Sequence, residues 1–597
     1  MRLRQRPHRH TGFRISGVSG GRTGRGARRW GGQMMVRIGV FICHCGHNIA
    51  SVVDVEEVVE YAKTLPWVAH AGHNLYSCSE EGLGSIKRSI TENKLDRVVV
   101  AACTPRTHEP LFRRACEQAG INKYLFEFVN IREHCSWIHA KEPKEATEKA
   151  KKLVAMGVAK AALLKPQTES EAGVIPTAVV IGGGISGLVA AASLVEQGIE
   201  THLVEQTGRL GGLLCDITTI GPEGRDARTL VKDVVQRLEA SPKAHIHRKA
   251  RVSDVKGFIG SFEVTIEGCD GPTKVPAGAI IVATGTREFV PTGEYGFGKH
   301  PQVITQLELE RKLARGEKPK RVVFITCVGS RQPGREYCSR VCCNVTLKNA
   351  LALSKASPDS RIRIIHRDIM SSGSAAEKLY KETSDSGVRF LRYGLERPPE
   401  VVSDGDRVNV IVYDETLDEV VSLDADLVVL AVPMLPPDDS EVTGKLLKVP
   451  RDKFGFFLEA HVKLRPVEFS TDGVFICGSA RWPVNARECI WQGMAAAAKA
   501  SIPIKEGKVV IQAITAEVDP EKCAACGNCV LACPYEAIEI VDQDGNRAAK
   551  VNEAQCKGCG TCVAACHNDA VSQKGFTSGQ LGAMIDALVK ASLEGSR

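Results

Sequence analysis

The chain has 597 residues, 43% hydrophobic and 25% charged, with a formal net charge of +8 and 22 cysteines. That composition belongs to an ordinary globular chain of several domains; it excludes a small disulfide scaffold, and with no run of about 18 apolar residues it excludes a membrane span. The positive balance does not point to nucleic acid, because residues 1–33 hold nine arginines and no Asp, Glu or Lys, leaving the remainder close to neutral.

Residues 1–35 read as a basic disordered tail or a spurious upstream start, with Met34 or Met35 as the working one. They contain no seven-residue apolar core for a secretory signal, and their Arg-rich, acid-free make-up leaves targeting as an alternative. From Val36 the segments VRIGVFIC, DVEEVVEYAKTL, VAHAGHNLYSC, GSIKRSITENKL and DRVVVAAC alternate strand and helix, which predicts a parallel sheet with covering helices over 36–145. Cysteines follow the three strands: Cys43 with Cys45, then Cys78, then Cys103. Carboxyl ends of such strands line a ligand crevice, so four sulfurs are expected to converge there. Cys135 is a possible substitute ligand, and Cys116, on a helical run, is expected to pack.

Residues 146–175 read as a charged helical linker. The strand TAVVI then opens onto Gly182, Gly184 and Gly187 in the G-x-G-x-x-G pattern, with an Ala-rich helix and a second strand ending in Glu205. The first glycine permits a tight turn, the second lets a pyrophosphate approach the helix N-terminus, and the third lets helix pack close to strand; Glu205 accepts ribose hydroxyls. The dinucleotide-binding set is Gly182, Gly183, Gly184, Ile185, Ser186, Gly187, Glu205 and Gln206. The sequel Arg209, Leu210, Gly211, Gly212 and the later Ala283, Thr284, Gly285 resemble two-dinucleotide-binding-domain flavoproteins of the thioredoxin reductase type. That resemblance implies FAD, with 176–295 and 445–512 as two parts of one domain. Gly478 in STDGVFICGS would close the site, although the usual Gly-Asp pair reads Gly478-Ser479 here.

In that superfamily the inserted middle domain, 296–444 here, binds a nicotinamide through its own strand and glycine loop. The matching strand, RVVFIT, runs instead into Cys327, followed by Cys338, Cys342 and Cys343. An iron–sulfur cluster is the favoured reading of this C-x10-C-x3-C-C pattern, with zinc or a redox disulfide as alternatives. The basic segment RIRIIHRD is compatible with a nucleotide phosphate, but is read as a buried strand with a solvated tip. Within 513–572 the pseudo-repeat CAACGNCVLACP and CKGCGTCVAACH has two-cluster ferredoxin spacing, in which the fourth cysteine of each run serves the other cluster. One cluster would take Cys523, Cys526, Cys529 and Cys566, the other Cys556, Cys559, Cys562 and Cys533. Residues 573–597 read as an amphipathic packing helix.

The whole from Val36 onward resembles the A-subunit family of heterodisulfide reductases (HdrA-like iron–sulfur flavoproteins), most specifically in GVFICHCGHNIASVVDVEEVVEYAKTLP, VVVAACTPRTHEPLF, NIREHCSWIH, CVGSR with EYCSRVCC, and FFLEAHVKLRPVEFSTDGVF. The link from Gly212 to Ala283 holds only Cys215 and Cys269, so the ferredoxin insert of methanogen members is absent. The resemblance implies an α/β N-terminal iron–sulfur domain, a thioredoxin-reductase-like flavoprotein core and a two-cluster α+β ferredoxin module, with one FAD and about four 4Fe-4S clusters. It also implies a lysine near the flavin, matched by Lys348, and an oxidoreductase subunit that bifurcates electrons between a donor subunit, ferredoxin and a disulfide-type acceptor. The expected setting is a cytoplasmic complex with other heterodisulfide-reductase-like subunits and a hydrogenase- or dehydrogenase-type donor, built on a homodimer core. The alternatives are a relay that does not bifurcate, in quinone or sulfur metabolism, and an NAD(P)H-dependent flavoprotein.

Overall fold

A computed structural model describes residues 36–594 apart from 223, 405, 406 and 544. The basic tail expected at 1–35 lies outside the described residues. The described residues divide into two compact units, 36–168 with 572–594, and 169–571.

In the first unit a four-stranded parallel sheet runs in the order Val68–Asn74, Ile38–Cys43, Arg97–Ala102, Phe126–Asn130. Strand Ile38–Cys43 is buried throughout, as a strand covered on both faces must be. Ile38, Val40 and Ile42 join one core, while Phe41 and Cys43 join the other with Ile86, Ile90 and Phe112. Asp54 and Ser79 start their helices by accepting the backbone N–H of Glu57 and Gly82.

Helix Pro143–Ala162 falls largely within the expected linker, yet it is part of this core. Its charges mask an apolar stripe, Ala146, Ala150, Val154, Val158 and Ala161, at near-helical spacing, and all five are buried. The C-terminal helix Ser578–Glu594 belongs to this unit as well. Gln580 donates to the Leu163 carbonyl at 3.0 Å, and the Lys160 ammonium lies 3.6 Å from the Phe576 ring centre.

The second unit repeats one plan twice. The first parallel sheet runs Ala244–Arg248, Glu200–Glu205, Thr177–Ile181, Ala279–Val282, Val474–Ile476. Its last strand comes from beyond the middle domain, so two distant segments close one sheet. Helices Ile185–Glu196 and Ala486–Glu506 pack on one face, and the antiparallel meander 251–277 accompanies the other. The middle domain has the sheet Val303–Thr305, Leu427–Leu430, Arg321–Ile325, Arg361–His366, Arg389–Arg392, with its own meander spanning 400–425. The cysteine-rich end carries the hairpin Ile538–Gln543 with Asn546–Val551 and two short helices, Asn528–Ala532 and Thr561–Ala564. Among the described residues no helix is long and apolar enough to cross a membrane.

Candidate functional site

The three glycines of the first loop do different work. Gly182 has φ +112°, and a Cβ there would lie 2.3 Å from the Ala283 carbonyl oxygen; a Cβ on Gly187 would lie 1.9 Å from the Gly182 oxygen. Both positions are closed to any larger residue. A Cβ on Gly184 meets nothing within 4 Å. Gly184 is the N-cap of helix Ile185–Glu196 and has no side-chain cap, so the first N–H groups of the helix face open space. That space is a cavity of about 530 Å³.

Twelve of the expected dinucleotide residues line it: Gly182, Gly184, Ile185, Ser186, Glu205, Gln206, Arg209, Gly211, Gly212, Ala283, Thr284 and Gly285. Gly183, Gly187, Leu210 and Gly478 stand behind its wall instead. The Gly183 N–H binds Glu205 at 2.7 Å, Leu210 packs on Gly183, and Gly478 has room only for a hydrogen where Ser186 abuts it. Ser479, in the place of the usual aspartate, does line the cavity and points its hydroxyl toward the Val484 carbonyl at 3.4 Å. The cradle fits a bound dinucleotide on a second count. Thr284 Oγ1, Thr286 Oγ1, Gln306 Oε1 and Asn344 Oδ1 are buried, belong to cavity-lining residues and have no hydrogen-bond partner among the described residues. Such orphaned groups are costly unless a ligand or water satisfies them.

Lys348 reaches the same cavity from helix Cys342–Ala356. It is buried, and its ammonium pairs with Glu310 and donates to Asn349 Oδ1 at 2.9 Å. Glu310 is fully buried and also accepts the N–H and hydroxyl of Thr218 at 3.1 and 2.9 Å. Burial holds the Lys348 ammonium below its ordinary range, and Glu310 opposes that shift. Glu310 escapes sequence reasoning: LELERKLARG holds two acids, Glu308 and Glu310, and nothing local marks which one turns inward. Thr286 and Asn344 had a signal, since they directly follow the ATG and paired-cysteine motifs.

Cys342, at the start of the same helix, lines the cavity too. The other three sulfurs of its group lie near it: the bond from Cys343 and burial, and then the charges of Cys343, Cys327 and Cys338, raise its pKa. Cys327, just beyond strand Arg321–Ile325, sits in the left-handed region, φ +62°, where a nucleotide fold would place glycine. Its loop is held by Arg367, which donates to the carbonyls of Arg331 at 2.8 Å and of Ser330, and by Arg331, which pairs with Asp368 at 2.6 Å and points toward Cys327 Sγ at 3.9 Å. Arg367 and Asp368, just after strand Arg361–His366, therefore brace the cysteine loop. Cys338 Sγ accepts the Arg340 N–H at 3.3 Å.

Cys43, Cys45, Cys78 and Cys103 also come together at the ends of their strands. Burial and the neighbouring Cys43 and Cys78 raise Cys45, while burial above all pushes Cys103 up to about 11. Cys135 donates its thiol to the Ala146 carbonyl at 3.0 Å within the core that holds Ile38, Val40 and Ile42; Cys116 packs, fully buried.

In the ferredoxin-like part Cys523, Cys526, Cys529 and Cys566 line one small cavity of about 20 Å³, with Cys566 supplied by the other run. Cys562 is pushed up to about 11 by burial and then by Cys556, Cys533 and Cys559, the reciprocal set. Backbone N–H donors repeat the pseudo-symmetry. Ala549 donates to Cys523 and Ala516 to Cys556, both at 3.4 Å; Ala537 donates to Cys533 and Ala570 to Cys566, both at 3.3 Å. Four thiols crowded so closely resist ionisation together, and a cationic iron centre reverses that preference.

A family model described as pyridine nucleotide-disulphide oxidoreductase matches residues 176–500, and a 4Fe-4S dicluster domain model matches 506–570. The second iron-sulfur A subunit of the CoB–CoM heterodisulfide reductase of Methanopyrus kandleri is 40% identical over 605 residues, covering 85% of this chain and 92% of the relative. The chain belongs to the heterodisulfide reductase A-subunit family. Another member, the A subunit of the H(2):CoB-CoM heterodisulfide,ferredoxin reductase of Methanothermobacter marburgensis, is 38% identical over 85% of this chain and 91% of its own. Among solved structures, the thioredoxin reductase of T. acidophilum aligns with TM-score 0.39 and 20% identity over 54% of this chain and 96% of its own. As a heterodisulfide reductase of the A-subunit type, the protein is an oxidoreductase with an electron-transfer role that carries FAD and 4Fe-4S clusters. Its fold is the expected one, a thioredoxin-reductase-like flavoprotein core with a C-terminal ferredoxin module.

Proposed function

We propose that this protein is the flavin core of a cytoplasmic heterodisulfide-reductase-like complex and bifurcates electrons. They would enter from a hydrogenase- or dehydrogenase-type donor subunit and leave to ferredoxin and to a disulfide-type acceptor on neighbouring subunits, with a homodimer at the centre. FAD, when bound, exchanges electrons in pairs or singly, and 4Fe-4S clusters pass them singly.

One observation carries the reading: Cys342 and Lys348 line the same cavity as Gly184, Gly211 and Gly212. The glycines admit the dinucleotide, and the cysteine group stands where a nicotinamide-binding loop would otherwise be. The ligand sets that follow are Cys327, Cys338, Cys342 and Cys343; Cys43, Cys45, Cys78 and Cys103; and the two crossed ferredoxin sets. Lys348 is the residue we assign to the flavin, a cation held in a dry wall by Glu310. The absent second glycine loop disfavours direct use of NAD(P)H.

The test is anaerobic reduction of the isolated protein. A low-potential one-electron donor is expected to bleach the flavin, and NADH or NADPH to do so only marginally. Rapid stoichiometric bleaching by NADPH would overturn the reading. With the neighbouring subunits present, equal electron flow to ferredoxin and to the disulfide acceptor supports bifurcation, and flow to one acceptor alone makes the protein a simple relay.

A further inference from the structure

The edge of the flavin-domain sheet carries a group of side chains that neither the dinucleotide cradle nor the cysteines use. Strands Glu200–Glu205 and Ala244–Arg248 run parallel with His245 opposite His202 and His247 opposite Val204. Leu203 and Ile246 turn to the helical core, so by strand alternation Glu200, His202, His245 and His247 share the other face. Three imidazoles and a carboxylate on one face of two adjacent strands form an unusual set, because this face elsewhere buries apolar residues such as Val179 and Val204.

The imidazoles are organised. His202 stacks on His245 with ring centres 4.5 Å apart and on His247 at 5.2 Å. His245 Nε2 lies 3.0 Å and His202 Nε2 4.0 Å from the same oxygen, Glu200 Oε1. One ligand atom from each of these three residues lies within 4.8 Å of the others. Ligands on a tetrahedral zinc sit about 3.3 Å apart for bonds of about 2.0 Å, so rotamer-scale movements close the remaining gap.

His202 Nδ1 and His247 Nε2 are 2.9 Å apart. In the tautomer where Nδ1–H is the donor, His247 orients the ring and leaves the His202 Nε2 lone pair free for a cation. Glu200 and His245 are half-exposed, which gives an ion a path in and leaves solvent in the fourth position.

We infer that Glu200, His202 and His245 form a mononuclear site for a nitrogen- and oxygen-preferring divalent transition cation of the zinc class, with His247 as its orienting partner. Two imidazoles and one carboxylate suit such ions, whereas the thiolate sets elsewhere in the chain suit iron–sulfur clusters. The ion clamps edge strand Ala244–Arg248 to the strand that ends in Glu205, and so stiffens the wall of the flavin cavity.

The experiment uses anaerobic holoprotein exposed to excess Zn2+, passed over a desalting column with a weak chelator, and examined by metal analysis and zinc X-ray absorption. The expected result is about one zinc per chain with nitrogen or oxygen neighbours at ~2.0–2.1 Å. Glu200→Gln and His245→Gln should weaken retention by about 10-fold or more, and His202→Phe, which keeps the ring stack, should abolish it, with iron and flavin contents unchanged. Sulfur neighbours at ~2.3 Å would place the zinc on cluster cysteines and overturn the site. Failure of the wild type to retain zinc, or equal retention by all variants, would overturn it as well. Should His202→Phe lose flavin through misfolding, the two half-exposed positions decide the matter alone.

Discussion

Lys348 and Glu310 form a buried ion pair in the wall of the cavity proposed to hold the flavin, on two different helices of the middle domain. Glu310 is fully buried and satisfied by Thr218 as well as by the lysine, so the pair is built into the fold and does not depend on solvent. Buried pairs of this kind are seldom worth much stability in themselves, since desolvation offsets their attraction. What they do well is hold charge at a fixed place.

From that placement, the two partners should shift the bound flavin's two-electron potential in opposite senses. A nearby cation favours the reduced, more negative flavin. Lys348→Met is therefore expected to lower the potential, and Glu310→Gln, which removes the opposing negative charge, to raise it. A change of 1.4 kcal/mol in the differential interaction corresponds to about 30 mV. Spectroelectrochemical titration measures both variants; shifts of the same sign, or none, would remove Lys348 from the flavin's neighbourhood.

The same lysine predicts a pH dependence. Its folded pKa is lowered by burial, so between that value and about 10.5 the unfolded chain holds a proton that the folded chain has released. Stability therefore rises with pH across that window, and the burial cost is fully present below it. The difference in thermal flavin-release midpoint between wild type and Lys348→Met should move in favour of the wild type as pH climbs toward 10. A flat difference would mean that the group is solvated.

Gly184→Val and Gly187→Ala separate ligand access from packing. The Gly184 Cβ faces open cavity, so valine there should block the pyrophosphate while the protein folds and keeps its iron. The Gly187 Cβ would collide with the Gly182 oxygen, so even alanine should destabilise the strand–helix junction by several kcal/mol and lower soluble yield. Full flavin retention by soluble Gly184→Val would contradict the assignment of the cradle.

Iron analysis checks the four cysteine sets. Reconstituted protein should contain about sixteen irons per flavin, four for each cluster, and the Cys342→Ala, Cys343→Ala double variant about twelve with flavin still bound. A wild-type value near eight would leave only the ferredoxin module, and an unchanged value in the variant would remove the cluster from Cys342 and Cys343.

What the sequence determined by itself is chemistry written into short intervals. A G-x-G-x-x-G loop, two C-x2-C-x2-C-x3-C runs and strands that end in cysteine are local patterns, because turn geometry and cluster ligation need particular residue types a few positions apart. Tertiary structure alone decided which distant side chains meet where no motif marks them. Glu310 faces Lys348 across 38 residues, and Arg367 braces a loop begun 40 residues earlier at Cys327. Helix Pro143–Ala162 looked like a linker because its surface charges outnumber its stripe of Ala and Val, and only the sheet beneath gives that stripe a partner. Local pattern specifies what a residue can do; burial and pairing across the chain select which of several equivalent acids, or histidines, is put in a position to do it.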